Sequence, residues 1–164
     1  ALQSFRPGRH RIETVHEADG ITWVDDSKAT NPHAAAASLM SHLSVVWIAG
    51  GLAKGARMDE LVKRCSKRIK AAVLIGQDKS IIAKALRENA PHVAILEIDT
   101  PAHYQVGSTE NSLMEDVVRA AREFAVEGDT VLLAPACASM DQFINYADRG
   151  DRFAQAVKKV ITHE

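Results

Sequence analysis

The sequence has little of what disulfide-bonded secreted domains, nucleic-acid-binding proteins and membrane proteins require. Its 164 residues include only two cysteines, Cys65 and Cys137, which form no Cys-x-x-Cys motif and are too few for a disulfide framework. The formal net charge is −1, which excludes the basic excess typical of nucleic-acid-binding domains. No apolar run approaches the roughly 20 residues that span a bilayer, and residues 1–10 lack the apolar core of a signal peptide. We therefore expect a cytoplasmic protein without nucleic-acid or membrane partners, and we also expect it to be a monomer.

Several common site motifs are also missing. The stretch "GGLAKGAR" is neither a P-loop, G-x-x-x-x-G-K-[ST], nor a G-x-G-x-x-G dinucleotide motif. The G-x-S-x-G motif of hydrolases is absent, so Ser139 is not expected to be a nucleophile. The seven histidines form no H-x-x-x-H or Cys/His cluster, and we expect no metal site in this chain. Because the chain begins with Ala1 rather than Met, we interpret it as a piece of a longer polypeptide.

Alternating strands and helices are the main pattern that is present. Residues 10–26 predict two strands joined at Asp19-Gly20, a strong hairpin signal. Continuous apolar strands are then predicted at 44–51, 71–78 and 129–135, and a strand with partial alternation is predicted at 93–99. Helices are predicted at 32–41, 57–70, 79–90, from 111 or 112 up to Gly128, and at 149–164. This order predicts one α/β domain over residues 1–164, with a doubly wound, mostly parallel sheet and an antiparallel hairpin at its edge.

The segment "DDSKATN", residues 25–31, follows the second strand, and ligands of open α/β sheets bind at that end of the strands. One interpretation is helix capping, with Thr30 or Asn31 as the cap and Pro32 in the first turn. Capping does not explain Lys28 beside two aspartates at a helix N-terminus, which is already partly positive. A lysine and hydroxyls there suit a carboxylate or phosphate, and an aspartate suits ribose hydroxyls. We therefore predict a ligand site.

Three other segments carry weaker signals. Lys54, in the glycine-rich turn after the next strand, is either a solvated surface charge or part of a ligand site. Ser139, in the long segment after the last strand, is a plausible hydrogen-bond donor to a carboxylate. A basic cluster precedes the hairpin and is either a solvated face or an anion clamp beside the ligand. Its members are Arg6, Arg9, His10 and Arg11.

These motifs together resemble a known family. "HRIETV", "WVDDSKATNPHAA", "IAGGLAKG" and "LLAPACASMDQFINYADRGDRF" occur in the order and spacing of a Mur ligase carboxy-terminal domain, from about Phe5 to the end. The "DSKATN" motif is similar to that of the D-glutamate-adding members, and "SFRPGRHR" resembles actinobacterial ones. The resemblance implies a Rossmann-like domain of a three-domain ligase. That ligase would use ATP and Mg²⁺ to activate UDP-MurNAc-L-alanine as an acyl phosphate, which D-glutamate attacks.

The resemblance also implies roles in the nucleotide site. Asp26 matches an aspartate that contacts the ATP ribose, and Arg11 matches an arginine that reaches the phosphates. Asn31 is placed in the same nucleotide-binding group. Lys28 matches the motif lysine near the reacting groups and is the predicted catalytic residue.

A second implied set binds D-glutamate. Thr30, Lys54 and Ser139 match positions that hold its carboxylates, and Tyr146, where the family often has Phe, would contribute its backbone N–H. The family pattern between the glycine pair and the lysine often contains Asp and Gly, whereas this chain has Leu52-Ala53. The resemblance places the ATPase and UDP-sugar domains outside this chain, and the chain alone would be inactive.

Two alternatives remain open from the sequence. One is another Mur-type or folylpolyglutamate-type ligase with a different amino acid, although "DSKATN" favours D-glutamate. The other is a stand-alone Rossmann-type nucleotide-binding module. An upstream P-loop in the same reading frame would favour a ligase.

Overall fold

The computed structural model describes residues 8–162, which form six strands and five helices. Arg6 of the basic cluster and the last two residues of the final predicted helix lie outside this range. In chain order the elements are β1 (Glu13–Ala18), β2 (Ile21–Asp25), α1 (Pro32–Leu39), β3 (Val45–Gly50), α2 (Asp59–Cys65), β4 (Ile69–Ile75), α3 (Lys79–Asn89), β5 (Ala94–Glu97), α4 (Ser112–Phe124), β6 (Thr130–Leu133) and α5 (Tyr146–Thr162).

The six strands form one sheet in the order β1-β2-β6-β3-β4-β5. β1 and β2 pair antiparallel at one edge, with Glu13 opposite Asp25 and Ala18 opposite Ile21. All the other pairs are parallel. This confirms the predicted mostly parallel sheet with an edge hairpin. The order places β6 between β2 and β3, so the segments after these three strands emerge side by side.

The helices cover both faces of the sheet because neighbouring side chains of its central strands point in opposite directions. On one face, Trp47 and Leu74 pack with buried residues of α1, α2 and α3. On the other face, Trp23 and Ile48 pack with buried residues of α4 and α5. Within residues 8–162, no helix combines the length and apolar character needed to cross a bilayer.

Three predicted helix boundaries are wrong. α4 ends at Phe124 instead of continuing up to Gly128, because Ala125 has an extended backbone with ψ 138°. Ile69, assigned to the second helix by its spacing, is the first residue of β4 and is paired with Val45. An apolar residue at the junction of a helix and a strand fits both helical spacing and strand alternation. Here the pairing of Ile69 with Val45 places it in the strand. The last helix begins at Tyr146 rather than at residue 149. The Asn145 side chain accepts a hydrogen bond from the N–H of Asp148 at 2.8 Å, and the Asp148 carboxylate accepts one from Ile144 at 3.0 Å. The first bond satisfies an N–H group that the helix start leaves unpaired, and the second ties the first turn of the helix to the residue before Asn145.

Candidate functional site

The segments that follow β2, β3 and β6 are joined by backbone hydrogen bonds at the carboxyl edge of the sheet. The N–H of Ala136 donates to the carbonyl of Ala29 at 2.9 Å. Leu52 and Ala138 exchange two bonds, each 2.9 Å long, in an isolated antiparallel bridge. The three segments therefore form one continuous surface, and it is the surface where the sequence predicts a ligand.

A cleft of about 290 Å³ opens at this surface between the chain before β1, the segment after β2 and one side of α1. It brings together three residues predicted from the sequence, namely Arg11, Asp26 and Lys28. The other lining residues are small or weakly polar: Ile12, Ala29, Ala34, Ala37, Ser38 and Ser41. The small side chains leave space for a ligand beside Asp26, Arg11 and Lys28.

Asp26 is the buried acid of this cleft, with 5% of its surface exposed. Burial raises the pKa of Asp26 because desolvation disfavours the charged carboxylate. The backbone of Ile12 and the positive charge of Arg11 act in the opposite direction and lower that pKa. The local surroundings therefore supply partial compensation for a carboxylate held at a buried position.

The backbone on both sides of Arg11 lies in the left-handed region. His10 has φ 66° and Ile12 has φ 48°. For a β-branched residue such as Ile12 this conformation is strained, and strained backbone is found where the surrounding structure holds a functional group in place. Arg11 itself is exposed at the cleft. Its neighbour Arg9 is instead paired with Asp151 at 2.6 Å, so the basic cluster does not act as one unit.

Lys28 is exposed, and its Nζ lies 5.9 Å from the centre of the Tyr146 ring. A cation over an aromatic face is attracted by the ring's quadrupole. The backbone N–H of Lys28 donates to the carbonyl of His10 at 3.0 Å, which ties the lysine to the strained segment around Arg11. Tyr146 is the first residue of α5, so its own N–H has no acceptor within the helix. The structure thus gives Tyr146 a side-chain contact that sequence reasoning did not anticipate.

The remaining predicted residues do not line this cleft. Thr30 is half-buried, Ser139 is buried and Lys54 is exposed, and they lie on the three joined segments. Their loops are brought to the same edge, whereas a single pocket shared by all of them remains a prediction. Asn31 caps α1: its Oδ1 accepts a hydrogen bond from the N–H of Ala34 at 2.9 Å. The capping interpretation is therefore confirmed for Asn31, and its nucleotide role remains a prediction.

Sequence reasoning missed Arg149, which contacts the segments after β2 and β6 and is completely buried. Its guanidinium donates to the hydroxyl of Ser27 at 2.9 Å, to the carbonyl of Ser27 at 2.7 Å and to the carbonyl of Cys137 at 3.0 Å. The Ser27 hydroxyl in turn donates to the carbonyl of Tyr146 at 2.6 Å. One side chain therefore fixes the segments after β2 and β6 against α5. The only signal for it in the sequence was the position of Arg149 in the charged run "YADRGDRF", residues 146–153.

A second missed feature is the buried pair His10 and Asp25, joined by a 2.6 Å contact between Nδ1 and Oδ2. Asp25 also accepts a hydrogen bond from the N–H of Ser27 at 2.9 Å, and burial raises the pKa of its carboxyl. A Cβ on Gly150 would lie 2.2 Å from His10 Nδ1, so only glycine lets α5 approach so closely. Glu13 completes a group whose possible ligand atoms lie within 4.8 Å of one another. The direct His10–Asp25 hydrogen bond accounts for their proximity.

Comparison with known proteins identifies relatives over nearly the whole chain. A family model described as "Mur ligase, glutamate ligase domain" matches residues 10–137. The chain is 54% identical to the UDP-N-acetylmuramoylalanine--D-glutamate ligase of Streptomyces avermitilis, a match covering 96% of this chain and 32% of that protein. It is 50% identical to the ligase of the same name from Mycobacterium avium, with 98% of this chain and 37% of that protein covered. The chain therefore spans about a third of the length of the curated relatives it matches.

The fold is shared with a solved structure, that of the UDP-N-acetylmuramate-alanine ligase of Thermotoga maritima. The TM-score is 0.60 at 15% identity, and the match covers 99% of this chain and 32% of that one. At this identity the likeness concerns the fold alone. The predicted resemblance is confirmed by the family model, which matches most of the chain. We conclude that the chain belongs to the family of Mur ligase glutamate ligase domains.

Proposed function

We propose that this chain is the carboxy-terminal domain of an ATP-dependent ligase that joins D-glutamate to UDP-N-acetylmuramoyl-L-alanine in peptidoglycan precursor synthesis. The names of its relatives support the reaction. The observation that carries the proposal is the cleft in which Arg11, Asp26 and Lys28 meet at the carboxyl edge of the sheet. The ATPase and UDP-sugar domains would lie in the rest of the ligase, which we propose is a cytoplasmic monomer.

The chemistry of the cleft fits a nucleotide. The buried carboxylate of Asp26 would accept hydrogen bonds from ribose hydroxyls, as the acid of a dinucleotide site does. The exposed guanidinium of Arg11 would contact the phosphates of ATP, which it can pair bidentately. Asn31, at the start of α1, would add a polar contact to the nucleotide. Mg²⁺ would be held mainly by the other domains, where it would neutralise charge on the transferred phosphate.

D-glutamate would be held by groups on the joined segments. It has two carboxylates, and Thr30, Ser139, the ammonium of Lys54 and the N–H of Tyr146 can donate hydrogen bonds to them. Its amine would then attack the carbonyl carbon of the acyl phosphate, the carbon–oxygen bond to phosphate would break with release of inorganic phosphate, and the attacking nitrogen would lose its proton to solvent. Lys28, held over the Tyr146 ring, would stabilise negative charge on the reacting groups. The domain's contribution is therefore positioning and charge stabilisation.

Replacing Lys54 or Thr30 by alanine in the full-length ligase is expected to raise the KM for D-glutamate. Each change removes a donor to a substrate carboxylate, worth about 1.5–3 kcal/mol when the acceptor is charged. This corresponds to an increase in KM of about ten- to a hundredfold. Steady-state kinetics with varied D-glutamate measures the effect, and thermal unfolding should show little change for exposed Lys54.

Lys67→Ala is the matched control for the lysine change. Lys67 is also exposed, and it lies just before β4, at the opposite edge of the sheet. The full-length ligase with Lys67→Ala should have the same KM for D-glutamate as the wild type. If Lys54→Ala and Thr30→Ala both unfold the ligase, these residues have a structural role and the assignment to D-glutamate is wrong.

Alone, this chain is expected to bind D-glutamate and nucleotides weakly or undetectably. Binding by the separate domain lacks the contacts that the rest of the ligase would supply on closure. Isothermal titration of the 164-residue chain with D-glutamate, and separately with ATP, measures this. A nanomolar dissociation constant for either ligand would contradict the proposal that the site is shared between domains.

A further inference from the structure

We propose that Asp78 is a positioning residue for Lys54, and this inference rests on the proposed function. Asp78 lies in the segment after β4, one strand further along the sheet than the turn that carries Lys54. Its carboxylate does not belong to the cleft. It contacts the backbone of the turn that carries Lys54, and it would thereby fix the position of the Lys54 backbone from which the side chain extends.

Asp78 holds this turn at two points. Its Oδ2 accepts a hydrogen bond from the N–H of Ala53 at 2.8 Å. Its own N–H donates to the carbonyl of Gly51 at 2.9 Å. Hydrogen bonds to a charged acceptor are about twice as strong as neutral ones. The residue directly before Lys54 is therefore fixed by a charge-assisted bond from a neighbouring loop.

Lys54 needs such a support because its backbone is in the left-handed region, with φ 52°. A non-glycine residue in this region costs roughly 1–2 kcal/mol. The side chain is exposed, so packing does not fix its direction. The placement of the ammonium therefore depends on the backbone of the turn, which the bond to Asp78 defines.

The same contacts explain how Leu52-Ala53 replaces the Asp and Gly expected from the family pattern. Leu52 pairs with Ala138 through its backbone N–H and carbonyl, and Ala53 contacts Asp78 through its N–H. Both interactions use backbone groups that every residue except proline offers. The turn is therefore held from outside, by neighbouring loops, and does not need a particular side chain at either position.

Asp78 is itself linked to the segment that carries Ser139. The N–H of Gln77, the preceding residue, donates to Oδ2 of Asp141 at 2.8 Å. The segment containing Asp141 also pairs with Leu52 through Ala138. The segments after β3, β4 and β6 thus form a closed ring of contacts. Through this ring, Asp78 would fix the turn that carries Lys54 relative to the segment that carries Ser139.

Steady-state kinetics of the full-length ligase tests this role. Asp78→Ala is expected to raise the KM for D-glutamate about tenfold, as the loss of one charge-assisted bond allows, and to leave the KM for ATP unchanged. Asp78→Asn keeps a carbonyl acceptor and should restore most of the affinity. In the Lys54→Ala background, Asp78→Ala should cause no further rise, because the lysine that it positions is gone. Hydrogen exchange of the segment 50–57 should be faster in Asp78→Ala.

Asp129→Ala is the matched control. The Asp129 carboxylate also accepts a backbone hydrogen bond, from Val126 at 2.9 Å, but it lies at the start of β6, at the opposite edge. This variant should lose stability and keep its KM for D-glutamate. If Asp78→Ala does not fold, Asp78→Glu, which displaces the carboxylate by one methylene, should show the same rise in KM.

The outcomes separate this inference from the proposed function. A wild-type ligase that does not join D-glutamate would overturn the proposed function and this inference with it. If the wild type is active and Lys54→Ala raises the KM, an unchanged KM in Asp78→Ala would overturn the positioning role alone. A full additional rise in the double variant would also overturn it, because Asp78 would then act independently of Lys54.

Discussion

Replacing Gly50 by alanine is expected to destabilise the protein by more than about 4 kcal/mol, a large part of a typical 5–15 kcal/mol total. Gly50 ends β3 and is paired with Ile75 of β4. A Cβ at this position would lie 1.8 Å from the Ile75 carbonyl oxygen, and the residue has φ 123°. Both strands are in the middle of the sheet, so neither backbone can move away without losing its other pairings. Urea denaturation measures the effect as a decrease in the urea concentration at which half of the protein is unfolded.

Gly55→Ala separates the steric clash from the cost of the backbone conformation. Gly55 also has a positive φ, 78°, but an added Cβ there has no atom within 4 Å. Alanine at that position should cost only the left-handed penalty of roughly 1–2 kcal/mol. Equal denaturation midpoints for the two variants would mean that β3 and β4 separate easily, contrary to their close pairing in the sheet.

Local patterns in the sequence were sufficient to predict most of the fold. The Asp19-Gly20 turn, the apolar strands and the amphipathic helices each depend on neighbouring residues, so short windows contain their signal. The boundary at Ile69 was wrong because strand pairing with Val45 is a long-range effect. The start of α5 could have been found, since Asn145 and Asp148 have the three-residue spacing of reciprocal capping.

The candidate site was only partly predictable. Arg11, Asp26 and Lys28 could be singled out because strand ends and charged residues are visible in sequence, and they line one cleft, whereas their roles remain predictions. The supports beneath and beside the site were not found. Arg149 contacts Ser27 from 122 positions away, and Asp78 contacts Ala53 from 25 positions away. No local pattern encodes such contacts, which depend on the order of the strands.

The carboxyl edge of the sheet therefore combines exposed groups with a buried framework. Lys28 and Lys54 are exposed. The direction of Lys54 depends on its backbone segment, whereas Lys28 also has its ammonium near the Tyr146 ring. Those segments are fixed by polar groups that are themselves buried or half-buried, notably Ser27, Asp78 and Arg149. Changes in the framework should consequently affect both folding and function, whereas changes in the exposed lysines should affect binding or catalysis with little effect on folding.

Arg149→Met is expected to lower the free energy of unfolding by about 3–5 kcal/mol, the usual cost of removing one partner from a buried charged network. Burial lowers the pKa of Arg149 to about 10, so the guanidinium is still charged at neutral pH. Methionine fills a similar volume but leaves the carbonyls of Ser27 and Cys137 without their donor. It also removes a positive charge near Asp25, whose pKa is raised because burial disfavours the charged carboxylate.

Two further variants show whether the hydrogen bonds or the charge produce this loss in urea denaturation. Arg149→Lys keeps the charge but cannot reproduce the planar fork, which donates to both Ser27 and Cys137. It should therefore recover only part of the stability. Arg87→Met is the surface control: Arg87 is exposed, lies 3.5 Å from Glu97 and should cost less than about 1 kcal/mol. If Arg149→Met were as stable as this control, the buried guanidinium would not be what holds the segments after β2 and β6 together, and the framework would have to depend on the backbone bonds between Ala29 and Ala136.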